Sequence, residues 1–301
     1  MYVGKTPSSE MNSPFLPQEI FDASIDNLWA DTDSLKNCAL VSSAWLSSTR
    51  SHLFYCIHLD PPTVTWDNQI GLIKQEGSPC EKFFTILSSP ASNLGKINRY
   101  VREIYLSEGM YTREWLTNEP TLPSLLRSLH NLRRFEISHS PCIEIAWHRL
   151  PEALKTAIQD HVLCLPSLTE LKLGSLILDD LSVINHLLLS CRQLKILEVE
   201  RICFADEGLA HLERGDVDEV VGERQPSLEV LVVGHATSMA LVAFWLHPSS
   251  CINVETIRKL TLSISSNTFA DFARLLHASL SVEQLELSLM NCSMFYYQLS
   301  R

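Results

Sequence analysis

The sequence predicts an α/β chain: a short three-helix module, then strand–helix units stacked into one curved parallel sheet, strands concave and helices convex. Two observations predict it. Three short helical patterns, each with its own capping residues, fit between Leu16 and Phe54. An apolar-x-x-apolar-x-apolar unit then recurs along the rest of the chain, separated by stretches of helical periodicity. A strand covered by one helix cannot close a core alone, but copies stacked side by side can.

The first helix is expected over roughly Pro17 to Leu28. Pro17 suits a first turn, where its missing N–H has no intrahelical partner, and Phe21, Ile25 and Leu28 recur at helical spacing. Asp31-Thr32-Asp33-Ser34 supplies oxygens that can accept the orphan amides of a second helix, built on Leu35 to Leu40. Ser42-Ser43 can cap a third. In it Trp45, Thr49 and Leu53 stand four residues apart, and Arg50 lies in the C-terminal half, where the helix dipole favours a cation.

The opening Leu16-Pro17-x-Glu19-Ile20, the central Cys38-x-Leu40-Val41-Ser42 and Trp45 nine residues before Phe54 follow in order. Together they resemble the F-box, by which a family of proteins docks onto the Skp adaptor of the Skp–cullin–F-box ubiquitin ligase. The resemblance covers Leu16 to about Leu59, with a residue or two more between Leu28 and Leu35 than in the commonest form. It implies adaptor contacts by Leu16, Pro17, Ile20, Leu35 and Val41, with Trp45 mainly holding the helices together, and an indirect link to the cullin scaffold. A cytoplasmic or nuclear location goes with that role.

The repeated unit begins at Val101, Leu132, Leu168, Leu194, Leu228, Ile257 and Val282, at intervals of 31, 36, 26, 34, 29 and 25 residues. Helical patterns lie between copies: Leu154 to Val162, Val183 to Leu189, Ala205 to Leu212, Met239 to Leu246 and Phe269 to Leu276. Segments 165–173 and 191–199 resemble the leucine-rich repeats found behind F-boxes, in an irregular form. Residues 1–14 are expected to be a disordered tail, 15–59 the F-box, 60–96 a linker or capping region with a helix over Glu81 to Ser89, and 97–301 the repeat domain. Phe54-Ile57-Leu59 fits the same strand template, so the module can run straight into a first strand.

Alternation along a strand names the outward residues. One column reads Glu103, Arg134, Glu170, Ile196, Val230, Lys259, Gln284; the other reads Tyr105, Glu136, Lys172, Glu198, Val232, Thr261, Glu286. Glu103–Arg134–Glu170 and Glu136–Lys172–Glu198 should form charge ladders across neighbouring strands. Ile196, Val230 and Val232 leave an apolar patch with a polar rim, the usual look of a protein-binding site. Tyr105, Ile196, Glu198, Val230 and Val232 are therefore the candidate contacts for a protein substrate. A phosphate reader would need an arginine cluster here, and the three cations of the columns are largely matched by glutamates.

Composition excludes several other classes. A net charge of −11 removes the attraction that drives binding to a nucleic-acid backbone. No run reaches a membrane span, and Met1 to Pro14 lacks the apolar core of a signal peptide. The nine cysteines are scattered without metal-ligand or disulfide-framework spacing, so neither metal nor cofactor is expected. Val3-Gly4-Lys5-Thr6 mimics the end of a phosphate loop without the preceding strand and glycine, and the histidines lack carboxylate or cysteine partners at ligand spacing. The charge-rich segment from Glu213 to Glu223 reads as a solvated connection or, alternatively, as a contact for a basic partner segment. The expectation is a non-catalytic receptor subunit. Its rivals are a ligase-independent scaffold and a hydrolase or transferase, which would need convergent polar residues in a pocket.

Overall fold

The computed structural model describes residues 17–62, 64–66, 73–75, 77–89, 97–109, 114–139, 144–205, 226–247, 250–265 and 267–289. The chain divides between Tyr55 and Cys56 into two compact units.

In the first unit, helices α1 (Gln18–Asp26), α2 (Thr32–Val41) and α3 (Leu46–Leu53) form where capping chemistry directs. Asp31 Oδ1 accepts from the Ser34 amide at 3.0 Å and Oδ2 from the Ser34 hydroxyl at 2.6 Å, which holds the Asp31 carboxyl below its ordinary range. The Gln18 amide donates to the Ala44 carbonyl at 2.8 Å, Ser48 donates to Asp22, and His52 meets Asp26 at 2.8 Å, so α1 is tied to α3 and the turn before it by polar groups. Ile25, Leu35 and Thr49 are buried between the helices. Trp45 packs its ring 5.8 Å from that of Phe21.

The second unit is built on strands β1 (Cys56–Leu59), β2 (Val64–Trp66), β3 (Ile73–Gln75), β4 (Glu103–Glu108), β5 (Arg134–His139), β6 (Ile145–Ala146), β7 (Glu170–Leu178), β8 (Ile196–Phe204), β9 (Val230–Val233), β10 (Lys259–Ile264) and β11 (Gln284–Leu289). Between them run α4 (Pro79–Ser88), α5 (Trp115–Asn118), α6 (Leu122–Ser128), α7 (Glu152–Thr156), α8 (Leu181–Ser190), α9 (Met239–Trp245) and α10 (Phe269–Ala278); α7 continues into a π-helical stretch over Ala157–Val162. One parallel sheet runs β1-β4-β5-β7-β8-β9-β10-β11, with β6 beside β7, while β2 and β3 form a separate antiparallel pair. Parallel neighbours need crossovers, which helices provide between most successive strands.

The same bond opens β5, β7, β8, β9, β10 and β11. The carbonyl of the residue before one strand accepts two amides from the entrance of the next: Arg102 from Arg133 and Arg134, Arg133 from Thr169 and Glu170, Thr169 from Lys195 and Ile196, and so on to Arg258 from Glu283 and Gln284, all at 2.6–3.0 Å. Inward residues then fall in step. Ile104, Leu106, Phe135, Ile137, Leu171, Leu173, Leu197, Val199, Leu231, Val233, Leu260 and Leu262 are all buried. On β11 the equivalent Leu285, Leu287 and Leu289 are exposed.

β7 and β8 turn a corner without losing their ladder. Ser175 (φ 55°) and Arg201 (φ 53°) adopt the left-handed conformation, after which Leu176, Ile177 and Leu178 pair with Ile202, Cys203 and Phe204. Ala236 (φ 54°) makes the corresponding bend after β9. A non-glycine residue costs about 1 kcal/mol there, and the continued pairing holds it. Gly174 stands immediately before Ser175, and Gly234 two residues before Ala236. A Cβ on Gly234 would lie 2.7 Å from Glu200 Cγ and 2.9 Å from its Cβ.

Three details differ from the sequence expectation. Cys56–Leu59 pairs with β4 as the strand template at Phe54-Ile57-Leu59 allows, so the boundary falls at Tyr55 rather than at 59. The region 60–96 contains the β2–β3 hairpin as well as the expected helix, and α5 and α6 occupy the stretch between β4 and β5. The tail at 1–14, the helix at 205–212 and the Glu213–Glu223 connection lie outside the described residues, apart from Ala205.

Two outcomes follow. Gly234→Ala should destabilise the chain by about 1–3 kcal/mol in urea unfolding, and by clearly less in a Glu200→Gly background, because the obstruction is the Glu200 side chain. Glu108, buried at the end of β4, accepts from the Trp115 and Leu116 amides at 2.5 and 3.0 Å; burial nonetheless pushes its carboxyl up. A raised folded value adds stability below the ordinary carboxylate range and loses it as pH rises through the folded value. Wild-type stability should therefore fall relative to Glu108→Gln as pH rises above about 4.5, measured by unfolding midpoints.

Candidate functional site

The outer face of the sheet carries the two columns read from the sequence as continuous rows in register. Cys56, Glu103, Arg134, Glu170, Ile196, Val230, Lys259 and Gln284 form one; His58, Tyr105, Glu136, Lys172, Glu198, Val232, Thr261 and Glu286 form the other. The first strand adds Cys56 and His58, which the sequence columns did not include. Their signal was present in the Phe54-Ile57-Leu59 template.

The expected Glu136–Lys172–Glu198 ladder forms, and Arg134 joins it to Glu170 in one cluster. Arg134 Nη1 lies 3.2 Å from Glu170, and Nη2 lies 3.2 Å from Glu136 and 3.7 Å from Glu198. Lys172 sits 3.4 Å from Glu136 and 3.7 Å from Glu198. Arg134 thus bridges both rows. Glu103 was expected to pair with Arg134; instead it accepts the Tyr105 hydroxyl at 2.8 Å, and Tyr105 lies under the Arg134 guanidinium with its ring centre 5.5 Å away. His58 stacks on that ring at 4.4 Å.

Electrostatics follow from this packing. Burial pushes the Tyr105 phenol up, and its hydrogen bond to Glu103 adds to the shift. Burial also disfavours the charge of Arg134, but Tyr105, Glu136 and Glu198 outweigh it and raise its pKa. Arg134 Nε is buried with no hydrogen-bond partner among the described residues. At the far end Lys259 meets Glu286 at 2.8 Å, and Thr261 donates to Glu286 at 3.1 Å; these bonds lower the Glu286 carboxyl. Between the two charged regions Ile196, Val230 and Val232 stand together, half-buried, on β8 and β9.

The three-helix unit presents a second surface. Pro17 is exposed, as are Ile20 (51%) and Val41 (69%). Leu40 (86%) and Trp29 (71%) are exposed as well. They were not singled out because the motif, rather than exposure, chose the residues. Leu35, expected on the adaptor side, is 1% exposed and belongs to the core of the unit: α2 turns Leu35, Cys38 and Ala39 inward at helical spacing and leaves Leu40 and Val41 outside. Trp45 is half-buried against Phe21, and Leu16 lies outside the described residues.

Among the described residues no group of three His, Cys, Asp or Glu side chains is placed to hold a metal ion, and no helix is long and apolar enough to cross a membrane. The described cysteines are free. Burial pushes the Cys80 and Cys191 thiols far up and that of Cys251 to about 12, so these stay protonated and unreactive at neutral pH. Comparison with models of known families, with curated proteins and with solved structures finds no match.

Removing Arg134 would leave three carboxylates converging on a half-buried site. Arg134→Ala should therefore cost about 1–3 kcal/mol in urea unfolding, whereas Glu170→Ala, which leaves Arg134 with two carboxylates, should cost under about 1 kcal/mol. Equal, small losses would mean that the cluster is only a solvated surface.

Proposed function

We propose that this chain is the substrate-recognition subunit of a Skp–cullin–F-box ubiquitin ligase, working in the cytoplasm or nucleus. The observation that carries the reading is the apolar surface of the three-helix unit. Pro17, Ile20, Leu40 and Val41 stay in solvent although Ile25, Leu35 and Thr49 already close the core of the unit. Large exposed apolar groups on so small a unit suit a standing protein partner. They include Pro17, Ile20 and Val41, to which the F-box resemblance assigns adaptor contact.

The second unit supports a leucine-rich-repeat receptor. Its strands repeat one entry bond, one inward apolar pattern and one sequential parallel order. Its outer face offers a partly apolar, charge-rimmed surface for a protein substrate. In that arrangement the chain supplies no reacting group. It acts by proximity, raising the effective concentration of a substrate lysine near the charged ubiquitin-conjugating enzyme.

The test is co-purification of the whole chain with the Skp adaptor and a cullin. Wild type should capture both in stoichiometric amounts, and an Ile20→Glu, Val41→Glu variant of unchanged circular dichroism should lose the adaptor. Capture of the adaptor without cullin would instead indicate a ligase-independent scaffold. Failure of folded wild type to capture the adaptor would remove the F-box reading.

A further inference from the structure

We propose that the outer face of the sheet binds a basic protein segment, with an apolar side chain seated on Ile196, Val230 and Val232 and a lysine or arginine beside it over Glu170 and Glu198. The inference rests on the reading of this face as the substrate surface and names the chemistry of what it takes.

The apolar seat comes first. Ile196 and Val230 are directly opposed across β8 and β9, and Val232 is opposed to Glu198 one step along. Strands about 4.8 Å apart and two residues of rise, roughly 6.6 Å, make the seat the size of one aliphatic or aromatic side chain. Its edges carry charge. Glu170 adjoins Ile196 in one row and Glu198 adjoins Val232 in the other.

Those two carboxylates are incompletely answered. Arg134 is divided among Glu136, Glu170 and Glu198, and Lys172 between Glu136 and Glu198. Glu103 adds a fourth carboxylate to that half of the face, so strands β4 to β8 carry four negative charges against two positive in the two rows. The side chains of Glu170 and Glu198 keep 34% and 26% of their surface, enough to admit a further cation. On the opposite side Lys259 is held by Glu286, so the face as a whole remains acidic.

The sign of the charge selects among occupants. A second copy of a chain of net charge −11 is repelled, as is nucleic acid. The segment 206–225 of this chain carries seven acidic residues against Arg214 and Arg224 and is a poor intramolecular occupant. A phosphorylated segment would meet only cations already engaged by carboxylates. A segment with Lys or Arg next to an apolar residue meets complementary charge and an apolar seat together.

The purified full-length chain, probed with a labelled peptide library randomised around a fixed leucine, should enrich Lys and Arg within two residues of that leucine. Binding of the selected peptide should weaken at least about tenfold from low to high salt, since two or more screened charge pairs are involved. Glu198→Gln should weaken it several-fold, Val232→Ser likewise, and Glu198→Lys should shift selection toward Asp and Glu. Enrichment of acidic or phosphorylated residues, or no enrichment by folded wild type, would overturn the proposal. Adaptor capture does not use this face: capture without basic selection defeats this inference alone, and basic selection without capture defeats the ligase reading alone.

Discussion

The double hydrogen bond at the entrance of β5, β7, β8, β9, β10 and β11 sets the register on which the rest of the sheet depends. A carbonyl that accepts two successive amides leaves the next strand little freedom to slide. Side chains alternate with a period of two, so a slip of one residue would turn Phe135, Leu171, Leu197 and Leu231 to solvent and drive Arg134, Glu170, Ile196 and Val230 into the core. Burying two opposed charges without water costs several kcal/mol each, and the apolar loss adds to that. The core and the outer rows are therefore two consequences of one register.

That coupling explains what was legible in the sequence. Leu-x-x-Leu-x-Leu states both the inward pair and, by alternation, the outward pair, so the rows from Glu103 to Gln284 and from Tyr105 to Glu286 could be named before any coordinates. What the pattern omits are features that depend on the third dimension. Ser175, Arg201 and Ala236 take a left-handed conformation usually left to glycine, because neighbouring strands hold them there, and no local sequence signal marks the corner. Glu103 leaves the expected ladder because Tyr105, two residues on in the same strand, reaches it first. Leu35 faces inward because α2 has one core face and Leu35, Cys38 and Ala39 lie on it. A motif matched by position cannot weigh that competition.

The charged cluster around Arg134 shows how such a face keeps its form. A lone exposed ion pair holds two long side chains only weakly. Here one guanidinium is fixed by three carboxylates and an aromatic ring that itself stacks with His58, so the side chains of several strands restrain each other. Groups already held in place lose little freedom when a partner arrives. The same fixation keeps Glu170 and Glu198 at the border of the apolar seat, where their remaining exposure lies.

The two candidate surfaces would select partners by different physics. Ile20, Leu40 and Val41 offer non-directional apolar area, which favours one shape-matched partner held for long periods and tolerates changes in salt. The sheet face mixes a seat of three aliphatic residues with an excess of carboxylates, which favours fast, salt-sensitive encounter and discriminates by the sign of charge. No residue belongs to both sets, and the fold places them in separately packed units. Substitutions that abolish one recognition therefore leave the chemistry of the other intact. A constant attachment and an exchangeable cargo require that separation of a receptor subunit, and a single mixed surface would couple the two affinities.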